Sequence, residues 1–374
     1  MPYSGATTLR STTTAVLILI ISISLSLSFF SPAKAENQAP YSVGTKGNLL
    51  SGYATVLIYH KFNEPGSPST SIPSTVFESQ LRYLRENSYN VVSLSFLVSL
   101  INEGKKIPPR TVVLTIDDGY RSVYTHAYPL LKKYRIPFTL FLYMEAAGRY
   151  GDFLTTEEIN EMKGNGLVTF GNHSYSHKRF ARRPRGMSEK DYLRWIEDDL
   201  YRSEHRFREL IGERPLFFAY PYGGYNRRYR EIVQRHGYLA ALTQDTGSVN
   251  TWTDRFLIPR NPIVGTWATI KKFQDFLNTE PLHVTGFSPG YGVLKKNPPT
   301  GVEAVISNIA NYKNIGVYIS EKGWLKPRVD LSSGRISIRD IGRLSRRTNR
   351  IGITAINRLT GRKATFFYLI ITPR

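Results

Sequence analysis

Two adjacent carboxylates, Asp117 and Asp118, close the apolar run TVVLTI and are followed at once by Gly119. Farther along, the run LVTFGN ends in His173, and His177 follows four residues later in GNHSYSHKR. Neighbouring carboxylates at the end of a strand diverge, so one can bind a cation while the other stays free to take a proton from water. Read as one side of a helical turn, His173 and His177 join one of the aspartates in a three-ligand set that leaves a coordination position open. An open position belongs to catalysis: a cation there acidifies a water and polarises the carbonyl of an amide or ester. The chain has no cysteine, which excludes a disulfide framework and any thiolate site, so a metal must rest on histidine and carboxylate. Two histidines and one aspartate suit zinc, and cobalt, nickel or iron take the same ligands.

The elements that must position these groups are legible in the hydrophobic pattern. From Ala54 the chain alternates short apolar runs with helical stretches: ATVLIY, YNVVSL, TVVLTI, PFTLFLY, LVTFGN, PLFFAY and LAALTQ are separated by amphipathic segments, among them Ser122 to Tyr134 and Ser188 to Ile211. Repeated strand and helix units predict a parallel α/β sheet long enough to close into a barrel. In such folds functional groups collect at the carboxyl ends of strands. Besides the aspartate pair and His173, those ends carry His60 after the first run and Pro221-Tyr222-Gly223 after LFFAY. All four should face one cavity, where Tyr120, Tyr222, Tyr225 and Trp252 are candidates to stack on sugar faces.

After residue 285 the pattern changes to short, β-branched, partly alternating runs such as GVEAVISNI, GRISIRD and RIGITAINR, which predict a β-sandwich-like domain over 286–374. That tail holds sixteen basic residues against four acidic ones, a large part of the formal net charge of +21. Such a surface seeks anionic polymers or a membrane surface, with nucleic acid the less favoured partner. At the other end, the apolar stretch AVLILIISISLSLSFF followed by Ala33-Lys34-Ala35 reads as a secretory signal over 1–35, and the polar, Gly-containing 36–53 as a linker. The chain is therefore expected to work in the periplasm, at the cell surface or as a secreted protein.

TIDDGY and HSYSH together resemble the motifs of the polysaccharide deacetylases, the NodB-homology domain of carbohydrate esterase family 4, over roughly residues 54–265. The resemblance implies a distorted (β/α) barrel, Asp117 as general base, and Asp118, His173 and His177 as ligands of a divalent metal. It also implies an acetylated polysaccharide as substrate, with an oxyanion receiving the backbone N–H of Tyr222. In two places the chain departs from the family. Ala219 stands where an arginine usually orients the base, and no terminal L-x-H supplies an acid. Arg260, in FLIPRNP at another strand end, is the candidate to restore the guanidinium. His60 is the candidate acid, a YH ending similar to that of biofilm poly-β-1,6-N-acetylglucosamine deacetylases. The expected reaction is hydrolysis of N-acetyl groups; O-acetyl esters, or glycan binding by a catalytically weakened barrel, are the alternatives.

Overall fold

The computed structural model describes residues 52–373; the expected signal over 1–35 and nearly all of the linker lie outside the described residues. Ala54–Tyr59, Thr111–Ile116 and Phe138–Leu142 are buried along their whole length, as strands covered on both faces of a parallel sheet must be. Their neighbours extend the sheet in the order Asn261–Pro262, Ala54–Tyr59, Thr111–Ile116, Phe138–Leu142, Val168–Asn172, Phe217–Ala219 and Ala240–Leu242, parallel throughout. A short segment links the two edges: Ile258 bridges Leu242 on one side, and three residues later Asn261 pairs with Leu57 on the other. Parallel pairing places the carboxyl ends of all these strands on one rim.

The helical run expected over Ser122 to Tyr134 is divided. Val123–Ala127 winds as a π-helix and Tyr128–Tyr134 as an α-helix, with a proline, Pro129, in the first turn of the latter. Proline offers no N–H to the preceding turn, so the wider winding falls where an α-helical bond cannot form. The helix Glu189–Ile211 starts at Ser188, whose side chain accepts from the Asp191 N–H, and ends on Gly212 in the left-handed region. Its buried stripe runs through Tyr192, Ile196, Leu200, Ser203 and Phe207 and also takes in one acid, Asp199.

A second core is enclosed by two sheets, with Val302, Ile306 and Ile336 from one meeting Ile351, Ile353 and Ile370 from the other. The first strand to join this module is Glu280–Pro281, pairing in parallel with Lys363–Ile371, so the β-rich part starts before residue 286. The described residues fall in one compact unit. The last strand explains why: Ala364, Tyr368 and Ile370 point into the β core, whereas Leu369 and Ile371 pack with Phe218, Tyr220 and Tyr225 of the barrel. Strand alternation thus makes one element a wall of both cores.

Candidate active site

Thr111–Ile116 delivers the aspartate pair to the rim, and the backbone then turns sharply, with Asp118 at φ 73° and Gly119 at φ 78°. Left-handed backbone at a non-glycine residue is costly and turns consecutive side chains apart. The two carboxylates accordingly meet different partners. Both oxygens of Asp117 accept from Arg260, Nη1 to Oδ1 at 2.6 Å and Nη2 to Oδ2 at 2.8 Å, and both residues are fully buried. Asp118 Oδ1 lies 3.5 Å from His173 Nε2 and 3.3 Å from His177 Nε2. One ligand atom from each of Asp118, His173 and His177 falls within 4.8 Å of the others, a spread that a single cation could bridge.

The donor set is in the right chemical form for a metal. His173 Nδ1 stands 2.7 Å from the Ala219 carbonyl, which can only accept, so the proton sits on Nδ1 and the Nε2 lone pair faces the cluster. Burial drives the pKa of His173 down to about 4, keeping it a neutral ligand. Burial opposes the charge on both aspartates, yet they stay below the ordinary carboxylate range. The Arg260 charge holds Asp117 down, and the His177 hydrogen bond does so for Asp118.

Two sequence expectations need correcting. His173 and His177 do not share a helical turn: Ser174 and His177 both have positive φ, and the loop is held by Ser174 Oγ accepting from the His177 N–H at 3.0 Å. The i and i+4 spacing brings the rings together, 4.8 Å between centroids, through an irregular loop instead. Tyr225 is buried and donates to Asp245 Oδ2 at 2.6 Å, so it offers no face to a sugar. Trp252 stacks on His283 at 4.4 Å. Tyr120 is half-buried under the Lys61 ammonium, whereas Tyr222 is exposed beside His177, ring centroids 4.6 Å apart, with the Arg179 guanidinium 3.6 Å over its own ring. His60 lies near enough to both aspartates to favour their charged forms, and its Nδ1 is buried without a hydrogen-bond partner among the described residues.

Supporting residues escaped the sequence reading. Asp199, on the long helix, accepts from the N–H groups of Tyr175 at 2.9 Å and Ser176 at 3.0 Å and so fixes the loop between the histidines. An acid on an otherwise apolar helical stripe was the available signal. Replacing it, Asp199→Ala, is expected to weaken any divalent-cation binding at the cluster roughly tenfold or more while leaving Asp118, His173 and His177 themselves in the chain. Competition against a chelating dye measures this, and an unchanged affinity would show that the loop needs no such clamp. Arg260 has its own support: Nε donates to the Thr243 carbonyl at 2.8 Å, and its backbone N–H donates to the Asp245 carbonyl at 3.0 Å. Asp245 in turn accepts from Arg350 Nε of the β-rich module at 2.9 Å, and Tyr225 Oη takes the Leu369 N–H at 3.0 Å.

The family model for polysaccharide deacetylase matches residues 104–256. The chain carries a polysaccharide deacetylase domain. The aspartate pair, both cluster histidines and Tyr222 fall inside the matched stretch; His60 and Arg260 fall outside it. The chain is 26% identical over 219 residues to the poly-beta-1,6-N-acetyl-D-glucosamine N-deacetylase of Staphylococcus aureus (strain MRSA252), a match spanning 58% of this chain and 74% of the relative. Among solved structures it is similar to IcaB from Ammonifex degensii, with 27% identity and a TM-score of 0.53 over 60% of this chain and 97% of that one. The Streptococcus pyogenes deacetylase PplD, in complex with acetate, shares the fold at 20% identity and a TM-score of 0.54, over 60% of this chain and 98% of its own.

Proposed function

We propose that the protein is an exported hydrolase that removes N-acetyl groups from an extracellular or cell-wall polysaccharide of the poly-N-acetylglucosamine or chitin type. The observation that carries this reading is the division of labour between two adjacent carboxylates, one grouped with two histidines and the other held apart by a buried arginine. In this reading Asp118, His173 and His177 hold a divalent cation, zinc before cobalt, nickel or iron. A cation bound there supplies Lewis acidity toward the acetyl carbonyl and lowers the pKa of water. Asp117, kept ionised by Arg260, takes the proton of the attacking water. The backbone N–H of Tyr222 serves the oxyanion, and His60, whose Nδ1 has no hydrogen-bond partner among the described residues, returns a proton to the departing amine. The named activity of the Staphylococcus aureus relative supports an N-acetylated β-1,6-glucosamine polymer as the first substrate to try. Residues 286–374, with their basic excess, would hold the enzyme near an anionic polymer or membrane surface.

Acetate release from poly-N-acetylglucosamine and chitin oligomers, beside O-acetylated xylan, tests the reading. Release from the N-acetyl glycans should disappear on chelation and return with zinc or cobalt. Release from xylan alone would make the protein an O-acetyl esterase, and zinc binding without release from any glycan would leave it a binding protein.

A further inference from the structure

Beyond the aspartate pair the barrel and the β-rich module enclose a cleft of about 980 Å³. Arg182, Arg183, Arg185, Arg227, Arg228 and Lys295 line it, and Glu189, the one carboxylate among the lining residues, is paired with Arg228 at 3.1 Å. The helices Glu189–Ile211 and Arg227–Arg235 both begin here, Asn226 capping the second by accepting from the Tyr229 N–H at 2.9 Å, so two positive helix ends add to the side-chain charge. Tyr291, half-buried in the wall, carries the Arg227 guanidinium 4.9 Å from its ring centre. A smaller cleft of about 200 Å³ shares Arg182 and Ile371 with this one and includes Arg179 and Tyr222. Tyr222 in turn touches His177. A cationic path therefore runs from the cluster to the junction of the two modules.

We infer that this cleft is a binding site for an anionic stretch of cell-wall polysaccharide, so that the polymer presenting its acetyl group at Asp118, His173 and His177 carries carboxylates or phosphates beside its N-acetylated sugars, as neutral poly-N-acetylglucosamine and chitin do not. This deepens the proposed deacetylase reading and rests on it for the second half of the statement. Carboxylates or phosphates on the glycan meet the arginines, while a ring of Tyr291 or Tyr222 offers a face to a sugar. The continuity of the path with the cluster favours a long glycan over a nucleic acid or a lipid headgroup, neither of which would bring an acetylated sugar to the aspartates.

The test uses the full chain and an oligoglucuronate of defined length, a neutral dextran oligomer of the same length and a single-stranded oligodeoxynucleotide, with binding followed by calorimetry at low and high salt. Arg183, Arg185 and Lys295 are exposed and stand apart from the cluster, so the triple variant Arg183→Ser/Arg185→Ser/Lys295→Ser should fold normally. Oligoglucuronate should bind the wild type but dextran should not; the triple variant should bind it roughly tenfold more weakly at low salt, a difference that high salt erases. Hydrolysis of a small acetyl ester, which cannot reach the cleft, should be unchanged. Equal affinity of wild type and variant for oligoglucuronate overturns the site, and so does tighter binding of the oligodeoxynucleotide than of oligoglucuronate. Binding is read without turnover, so a protein that binds as expected yet releases no acetate would defeat the enzymatic reading while leaving the cleft an anionic-glycan site.

Discussion

Asp117→Asn should lower kcat for acetate release by about a thousandfold, the scale of a lost general base, while zinc still binds one ion per chain. The two readouts separate because Asp117 is outside the grouped ligand atoms of Asp118, His173 and His177. Asparagine keeps the shape but not the charge, so Arg260 is left as a buried cation with no counter-ion. The variant should therefore also be less stable, and its rate must be taken per folded molecule, with circular dichroism reporting the folded fraction. A variant with normal turnover would remove Asp117 from the mechanism; one that loses zinc in proportion to activity would make it a ligand.

The largest stability effect is expected from Arg260→Met. Breaking a fully buried ion pair by removing one partner costs about 3–5 kcal/mol, because the remaining charge is neither solvated nor paired. Here the orphan would be the Asp117 carboxylate, which burial already pushes toward the neutral form and which Arg260 is the foremost group holding down. With Arg260 present the folded-state pKa lies below the unfolded value, so the pair adds stability above the ordinary aspartate range that is lost on acidification. With Arg260 removed the pKa of Asp117 rises, and the acidic limb of the rate profile should move to higher pH. The double variant Asp117→Asn/Arg260→Met should recover much of the stability lost by Arg260→Met alone, since neither charge is then stranded, but none of the activity. Chemical denaturation of the four proteins gives the coupling energy, and strictly additive losses would show that the two side chains do not act as a pair.

Much of the site could be read before the fold was known because its parts sit at the ends of apolar runs. Thr111–Ile116 is one uninterrupted buried strand, so the residues after it had to emerge at the rim, and Val168–Asn172 delivers His173 by the same logic. Hydrophobic period carries no information about the path of a loop beyond a strand end. The left-handed residues Ser174 and His177 carry no glycine to advertise them, and a four-residue spacing mimics a helix. Arg260 could be suspected from its place in FLIPRNP, but its pairing depends on a closing segment that touches one strand at Ile258 and another at Asn261, too short to show a period of its own. The β-rich module was visible as alternating runs; its starting point was not, because Glu280–Pro281 contributes only two residues to its sheet and its partner strand, Lys363–Ile371, lies far along the chain.

Arg350 and Leu369 follow every candidate catalytic residue in the sequence, which bears on how the protein is made. A chain emerging from the ribosome presents the barrel strands first, yet the carbonyl that steadies Arg260 belongs to Asp245, and the side chain of Asp245 is clamped by Arg350 and by Tyr225, itself tied to Leu369. Until Lys363–Ile371 has left the ribosome, the Leu369 part of that clamp is missing. A chain cut short before Lys363–Ile371 would carry every candidate catalytic residue without the strand that helps to hold them in place.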